Sequence, residues 1–121
     1  MIQINIKSWQ QAKANDGLDR KHTGWVEGMT PEEVYEAARG CWPLGEQADR
    51  EKFAVVVHKG VVRCVIEIDR IDTTSEDGRR AIVGRPVKAG HPFHDRWYAM
   101  SAPSDRGGGS ITYIDDTAKP V

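Results

Sequence analysis

Long apolar runs are missing from this chain, and cysteine is scarce: Cys41 and Cys64 are the two in 121 residues. Without some 20 consecutive apolar residues the sequence offers no membrane span. The opening MIQINIKSW also lacks the apolar core of an export signal. A small secreted domain stapled by disulfides carries more cysteine than this, so a cytoplasmic setting with both thiols reduced is expected, and no membrane partner. Charge of one sign is missing too. The formal net charge is −1, which excludes binding of polyanions by bulk charge alone. Phenylalanine is sparse, at two residues against four tryptophans, so indole rings carry an unusual share of the aromatic surface.

What remains is an ordinary globular composition, 39% hydrophobic and 29% charged. A chain of this length folds as one domain, here residues 1–121, and buries roughly two thirds of its unfolded surface. Charge is unevenly spread within it. From Glu27 to Glu51 seven acids face two bases, whereas from Arg79 to Arg106 six bases face two acids. One basic face on a near-neutral molecule is therefore expected.

Ile2, Ile4 and Ile6 alternate with polar residues, the period of a half-buried strand. Residues 8–28 show little periodicity and read as a long loop, with a short helical piece near Trp9 to Ala14. The sharpest local signal is Met29-Thr30-Pro31-Glu32-Glu33-Val34. Thr30 and Glu33 form a capping box, Pro31 suits the first helical turn, and Gly40 supplies a left-handed stop, which predicts a helix over about 31–39. A possible second short helix lies at 46–52. Phe53 to His58 is apolar on both faces, as in a central strand. Lys59-Gly60 turns the chain, and Val61 to Arg70 returns with Val62, Cys64, Ile66 and Ile68 on one face. A shorter strand is expected over Arg80 to Val87, a loop over 88–96, a brief pairing over Trp97 to Met100, a glycine turn at 106–109 and a last strand over Ser110 to Ile114.

Several constellations bear on chemistry. His91-Pro-Phe-His94-Asp95 gathers metal-ligand types, but in a proline-containing loop instead of on one helix face. It reads as a polar rim, and neither a metal nor a cofactor is expected. Cys64 sits in an apolar stretch and Cys41 in the acidic half, both poor settings for a thiolate nucleophile. Gly107-Gly108-Gly109 lacks the lysine and following helix of a phosphate loop. The aromatic and cationic residues say more. Trp42, Trp97 and Tyr98 stand beside loops and strand ends with Arg39, Arg85 and Arg96 close in sequence. Indoles stack on bases and guanidinium groups fork onto phosphate.

The run Ala38-Arg39-Gly40-Cys41-Trp42-Pro43-Leu44, followed by Phe53-Ala-Val-Val-Val-His-Lys-Gly60-Val-Val-Arg-Cys-Val-Ile-Glu-Ile68, resembles the centre of the PUA-like group, which includes the ASCH and EVE domains. It also resembles an uncharacterised bacterial domain with a Gly-x-Trp-x-Leu stretch before the hairpin. In that domain a Gly-Arg pair follows, here Gly84-Arg85, then an aromatic pair, here Trp97-Tyr98, and a late tyrosine, here Tyr113. The likeness covers residues 30–114. It implies an α+β fold, a small, mostly antiparallel PUA-like β-barrel with one well-capped helix. It also implies an aromatic-walled pocket, carried onto Arg39, Trp42, Arg85, Trp97 and Tyr98. With Arg96 added from the aromatic–arginine adjacency, the expectation is a non-catalytic module that recognises nucleic acid or a nucleotide-like ligand. Two alternatives stand beside it. One is a small ASCH-type hydrolase of an amide or modified nucleoside, for which Lys59, Glu67 and Thr112 are the available groups. The other is an accessory factor that captures a protein partner with the acidic face Glu32 to Glu36.

Overall fold

A computed structural model describes residues 1–105 and 109–120. Five strands form one mixed sheet in the order β6-β5-β4-β1-β7: β1 (Ile2–Asn5), β4 (Phe53–His58), β5 (Val61–Thr73), β6 (Arg80–Pro86) and β7 (Ile111–Tyr113). Two-residue strands β2 (Gln10–Gln11) and β3 (His22–Thr23) pair separately as a small ribbon. Helix α1 (Pro31–Ala38) lies on one face of the large sheet, and α2 (Pro92–Trp97) on the other. No helix among the described residues is long and apolar enough to cross a membrane.

The sheet is open, with β6 and β7 at its edges, so the observed architecture is a small α+β sheet with two helices and no closed barrel is seen. Three of its four pairings are antiparallel, and β1 runs parallel to β4. Paired with β4 on one side and β7 on the other, β1 is an interior strand. Gln3, which alternation places on a wet face, is 1% exposed. Its amide donates to the Ser104 carbonyl at 2.9 Å and accepts from the Ser104 N–H at 2.8 Å, which answers the cost of burying an amide.

Two core layers follow from two covered faces. Ile2, Ile4, Ala54, Val56, Cys64, Ile66 and Ile82 meet Val34, Tyr35 and Ala38 of α1. On the reverse side Met1, Val55, Val57, Val62 and Val65 meet Phe93 and Trp97 of α2. Val62 thus faces away from Cys64, contrary to simple alternation. The reason is a bulge: Val56 opposes Cys64 while Val57 opposes Val62, which leaves Arg63 as the extra residue.

Helix α1 starts as expected. Thr30 accepts from the Glu33 N–H at 3.2 Å, and the Glu33 carboxylate accepts from the Thr30 N–H at 2.9 Å. The turn at Glu46–Arg50 is a 3-10 helix. Three expectations are corrected. The stretch read as a loop at 88–96 contains α2, where the His91 ring nitrogen accepts from the Phe93 N–H at 3.1 Å and Pro92 takes the first turn. No helical piece forms near Trp9, where β2 stands instead, drawn out by its pairing with β3. The brief pairing expected over Trp97 to Met100 does not form as a strand: Trp97 ends α2, and the bridge falls one residue later, at Ser101 opposite Val61. The glycine turn at 106–109 lies, apart from Gly109, outside the described residues.

Candidate ligand-binding cleft

The amino-terminal segment read from sequence as a long loop builds one wall of a wide cleft. The chain leaves β1 at Asn5, passes through Lys7, turns back at Gly24, and is clamped by Trp9 N–H to Trp25 O at 2.8 Å and Trp25 N–H to Lys7 O at 2.9 Å. Gly24 is required there. Its φ is +81°, and a β-carbon would lie 2.4 Å from the Ser8 carbonyl oxygen. The opposite wall is the end of α1 with Gly40, Cys41 and Trp42, and the floor closes on Glu76 and Arg79 of the β5–β6 loop. The volume is about 550 Å³, within the range of small-molecule sites.

Trp42 is held firmly. Its backbone pairs with Arg80 in both directions at 2.9 Å, and its indole N–H donates to the Ala38 carbonyl at 2.6 Å. The ring stays half-buried, packed against the α1 layer. Opposite it stand Gln10 and Gln11, both exposed, with amide groups that can donate and accept.

Charge in the cleft is asymmetric. Lys7, Lys13, Arg20 and Arg79 line it against the carboxylates Asp16 and Glu76, and both carboxylates are already occupied. Asp16 accepts from Arg20 at 2.8 and 3.0 Å, and Arg20 holds its carboxyl down to about 2. Lys13, at 2.6 Å, and then the Cys41 thiol hold the Glu76 carboxyl down to about 2. Arg20 also donates to the Ala37 carbonyl at 3.1 Å and so closes the end of α1. Lys7 and Arg79 make no side-chain hydrogen bond or ion pair to any described residue. The cleft therefore offers two uncommitted cations and no uncommitted anion.

Asp16, Cys41 and Glu76 bring three potential metal-ligand atoms within 4.8 Å of one another. The ammonium of Lys13 and the guanidinium of Arg20 already serve the two carboxylates, and burial, then the neighbouring Glu76, push the Cys41 thiol up. This is the pattern of ion pairs tying loops together, not of a cation site. Cys64 is pushed up to about 12 by burial. Both cysteines are unpaired.

Of the six residues singled out in the sequence, the cleft takes Trp42 alone. Arg39 is spent on structure: it donates to the Ile82 carbonyl at 3.0 Å and lies over the Tyr35 ring. Arg85 forks onto Asp69 at 3.0 Å and also pairs with Glu67. Arg96 donates to the Asp116 carbonyl at 3.1 Å. Trp97 is 1% exposed in the α2 layer, on the far side of the sheet from Trp42. Tyr98 is 43% exposed and stacks on His94. These six do not share one surface. Lys7, Gln10, Gln11 and Arg79 were missed: Lys7 reads as one more polar position alternating with Ile2, Ile4 and Ile6, residues 8–28 carry little periodicity, and Arg79 sits in a basic run without distinguishing marks.

The groups considered for hydrolysis are dispersed as well. Lys59 is at the β4–β5 turn, whereas Glu67 opposes Phe53 at the other end of that hairpin. Six residues of strand separate Val61 from Glu67, about 20 Å, beyond hydrogen-bond reach. Compared with family models, with curated proteins and with solved structures, the chain finds no match, and nothing in those comparisons identifies a PUA-like or ASCH domain.

Proposed function

We propose that the protein is a non-catalytic binding module for a nucleotide-like anion, free or within a nucleic acid, and that the cleft beside Trp42 receives it. The observation that carries this reading is the coincidence of a fixed indole, two amide side chains and two uncommitted cations in one concavity without a free carboxylate. An aromatic ring face takes a base, amides read its edge, and Lys7 with Arg79 take phosphate. The PUA-like resemblance supports the same reading through its aromatic-walled pocket, with Trp42 carrying the wall and an open sheet standing in place of a barrel. A cytoplasmic setting suits such a ligand.

Titration with adenosine and uridine mono- and triphosphates at low salt, followed by tryptophan fluorescence, tests it. Saturable quenching is expected, weakened at least about tenfold in Lys7→Gln/Arg79→Gln, since a charged hydrogen bond is worth roughly 1.5–3 kcal/mol. Quenching equal in the double variant, or none at all, removes the reading. A second reading rests on Glu32, Glu33 and Glu36, all exposed on α1: a basic protein partner held by that face. Loss of capture on Glu32→Gln/Glu33→Gln/Glu36→Gln, with nucleotide quenching intact, would favour it.

A further inference from the structure

Next to the cleft, across the segment Lys7 to Gln11 whose residues line both, lies a second surface built from Trp9, Trp25, Val26, His58 and Lys59. We infer that this surface is a stacking subsite for a neighbouring nucleotide, so that the ligand class is single-stranded nucleic acid and not a free nucleotide; the inference rests on the reading of the cleft given above.

Three observations carry it. The first is exposure with preorganisation. Trp9 is 50% exposed and Val26 48%, and large apolar groups left in water beside a cleft mark an interaction surface. The Trp9 ring is backed by the His22 imidazole, with centroids 5.7 Å apart and planes 25° apart. The ring is therefore steadied while half of the residue stays open to solvent. Aromatic platforms of this kind take bases of any identity, because every base has a π-face.

The second is the construction of the wall behind it. Trp25 lies between His58, at 5.0 Å, and the guanidinium of Arg63, 4.1 Å from its ring centroid. His58 is itself pinned by a hydrogen bond between its Nδ1 and the Ile6 carbonyl at 3.1 Å. Arg63 reaches Trp25 because it is the extra residue of the β5 bulge. Regular alternation would send it to the other face of the sheet. Bulges recur where a side chain has to be re-aimed.

The third is charge. Arg63, Lys59 and Lys7 form no side-chain hydrogen bond or ion pair with any described residue, and Glu27 is the one acid lining the surface. This contrasts with Arg39, Arg85 and Arg96, each held by a carbonyl or a carboxylate. Lys7 lines the cleft while Ser8 and Trp9 line the second surface, so one phosphate at Lys7 would join a base in the cleft to a base on Trp9. A strand of alternating rings and phosphates matches that sequence of indole, ammonium and indole. An apolar protein segment would leave Lys59 and Lys7 unanswered.

The test is fluorescence anisotropy with a labelled six-nucleotide mixed-sequence RNA and its DNA counterpart at low salt, competed by adenosine monophosphate, for the native chain, Trp9→Ala and Trp9→Phe. The hexamer should bind more tightly than the mononucleotide. Trp9→Ala should weaken the hexamer by roughly 5- to 100-fold, the range of one stacked base, while mononucleotide competition is unchanged and Trp9→Phe recovers most of the loss. A difference between the RNA and DNA arms tells which sugar is read. If the hexamer binds no more tightly than the mononucleotide, or Trp9→Ala leaves it unaffected, the subsite is refuted while the cleft reading stands. If neither ligand binds, the cleft reading falls and this inference with it. If Trp9→Ala instead changes the sedimentation of the unliganded protein, the surface joins two copies of the chain and the subsite is refuted.

Discussion

Arg63 and Gly84 show how single residues set geometry that their neighbours cannot. Arg63 is turned by one inserted residue into a contact with Trp25. Gly84 sits where β6 passes a second irregularity of β5, and a β-carbon there would lie 2.0 Å from the Glu67 carbonyl oxygen. The space above it is used by Tyr35, whose hydroxyl accepts from the Gly84 N–H at 2.9 Å. Gly84→Ala should therefore cost about 3 kcal/mol or more, since a backbone oxygen has to move. Tyr35→Phe should cost about 1 kcal/mol, leaving the half-buried Gly84 amide without its partner. Urea unfolding of both variants measures this, and a Gly84→Ala midpoint equal to that of the native chain would contradict the packing described. Thiol titration offers a further check. Cys41 is partly exposed and should react slowly with a disulfide reagent at neutral pH, whereas Cys64, pushed up to about 12 by burial, should react only on unfolding.

Among the elements, α1 was legible because its signals are local. A capping box and a first-turn proline sit within four residues, from Thr30 to Glu33, and neither needs a distant partner. The left-handed stop expected at Gly40 does not form, since Arg39 caps the helix in right-handed conformation and Gly40 has no positive φ. Its lack of a side chain serves instead the close approach of Ala81. Thr30→Ala should lower stability by about 1 kcal/mol and melt the helix start first, visible as faster amide exchange at Val34. The β4–β5 hairpin was legible for the same reason. Helix α2 was not, since His91-Pro-Phe-His94 has no run of strong helix formers. Its six residues are held by a histidine cap and by Phe93 and Trp97 entering the core, which is tertiary support that composition does not record. Trp97 shows the limit for the site. Next to Arg96 and Tyr98 it resembles a pocket wall, but its ring is enclosed and its indole N–H finds no partner among the described residues. Apolar burial there outweighs an unmade hydrogen bond, and no sequence pattern separates that case from an exposed ring. The cleft was readable only through Trp42; Lys7 and Arg79 became visible once the ion pairs of every other nearby cation were known.

At the scale of the whole molecule, the sheet divides the indoles. Trp25 and Trp42 pack on the α1 side and Trp97 on the α2 side, while Trp9 stacks on His22 of the small ribbon outside both layers, so Trp97 cannot share a ligand site with the other rings. The loop bearing Lys13, Asp16 and Arg20 is fastened to the β5–β6 loop by the Lys13–Glu76 ion pair and to α1 by the Arg20 hydrogen bond to the Ala37 carbonyl, with Asp16 holding Arg20 in place, and that makes the cleft wall sensitive to acid. Asp16 has a carboxyl depressed from 3.8 to about 2 in the folded state. Its stabilising effect is full above the unfolded value and disappears as pH falls from near 4 toward 2. Asp16 is almost fully buried, and the shift corresponds to about 2 kcal/mol. Asp16→Asn should remove that part of the acid-induced loss and lower stability at neutral pH by a similar amount. Equal pH slopes for variant and native chain between pH 4 and 2 would show the pair to be immaterial.

The most direct measurement of the central claim is a chemical-shift map with a short single-stranded RNA at low salt. The account places the perturbed amides and indole N–H signals at Lys7 to Gln11, Trp25, Trp42 and Arg79, with α2 and the Trp97 indole unmoved. Shifts centred instead on Arg85, Arg96 and Tyr98, or spread evenly over the surface with no saturation, would contradict it.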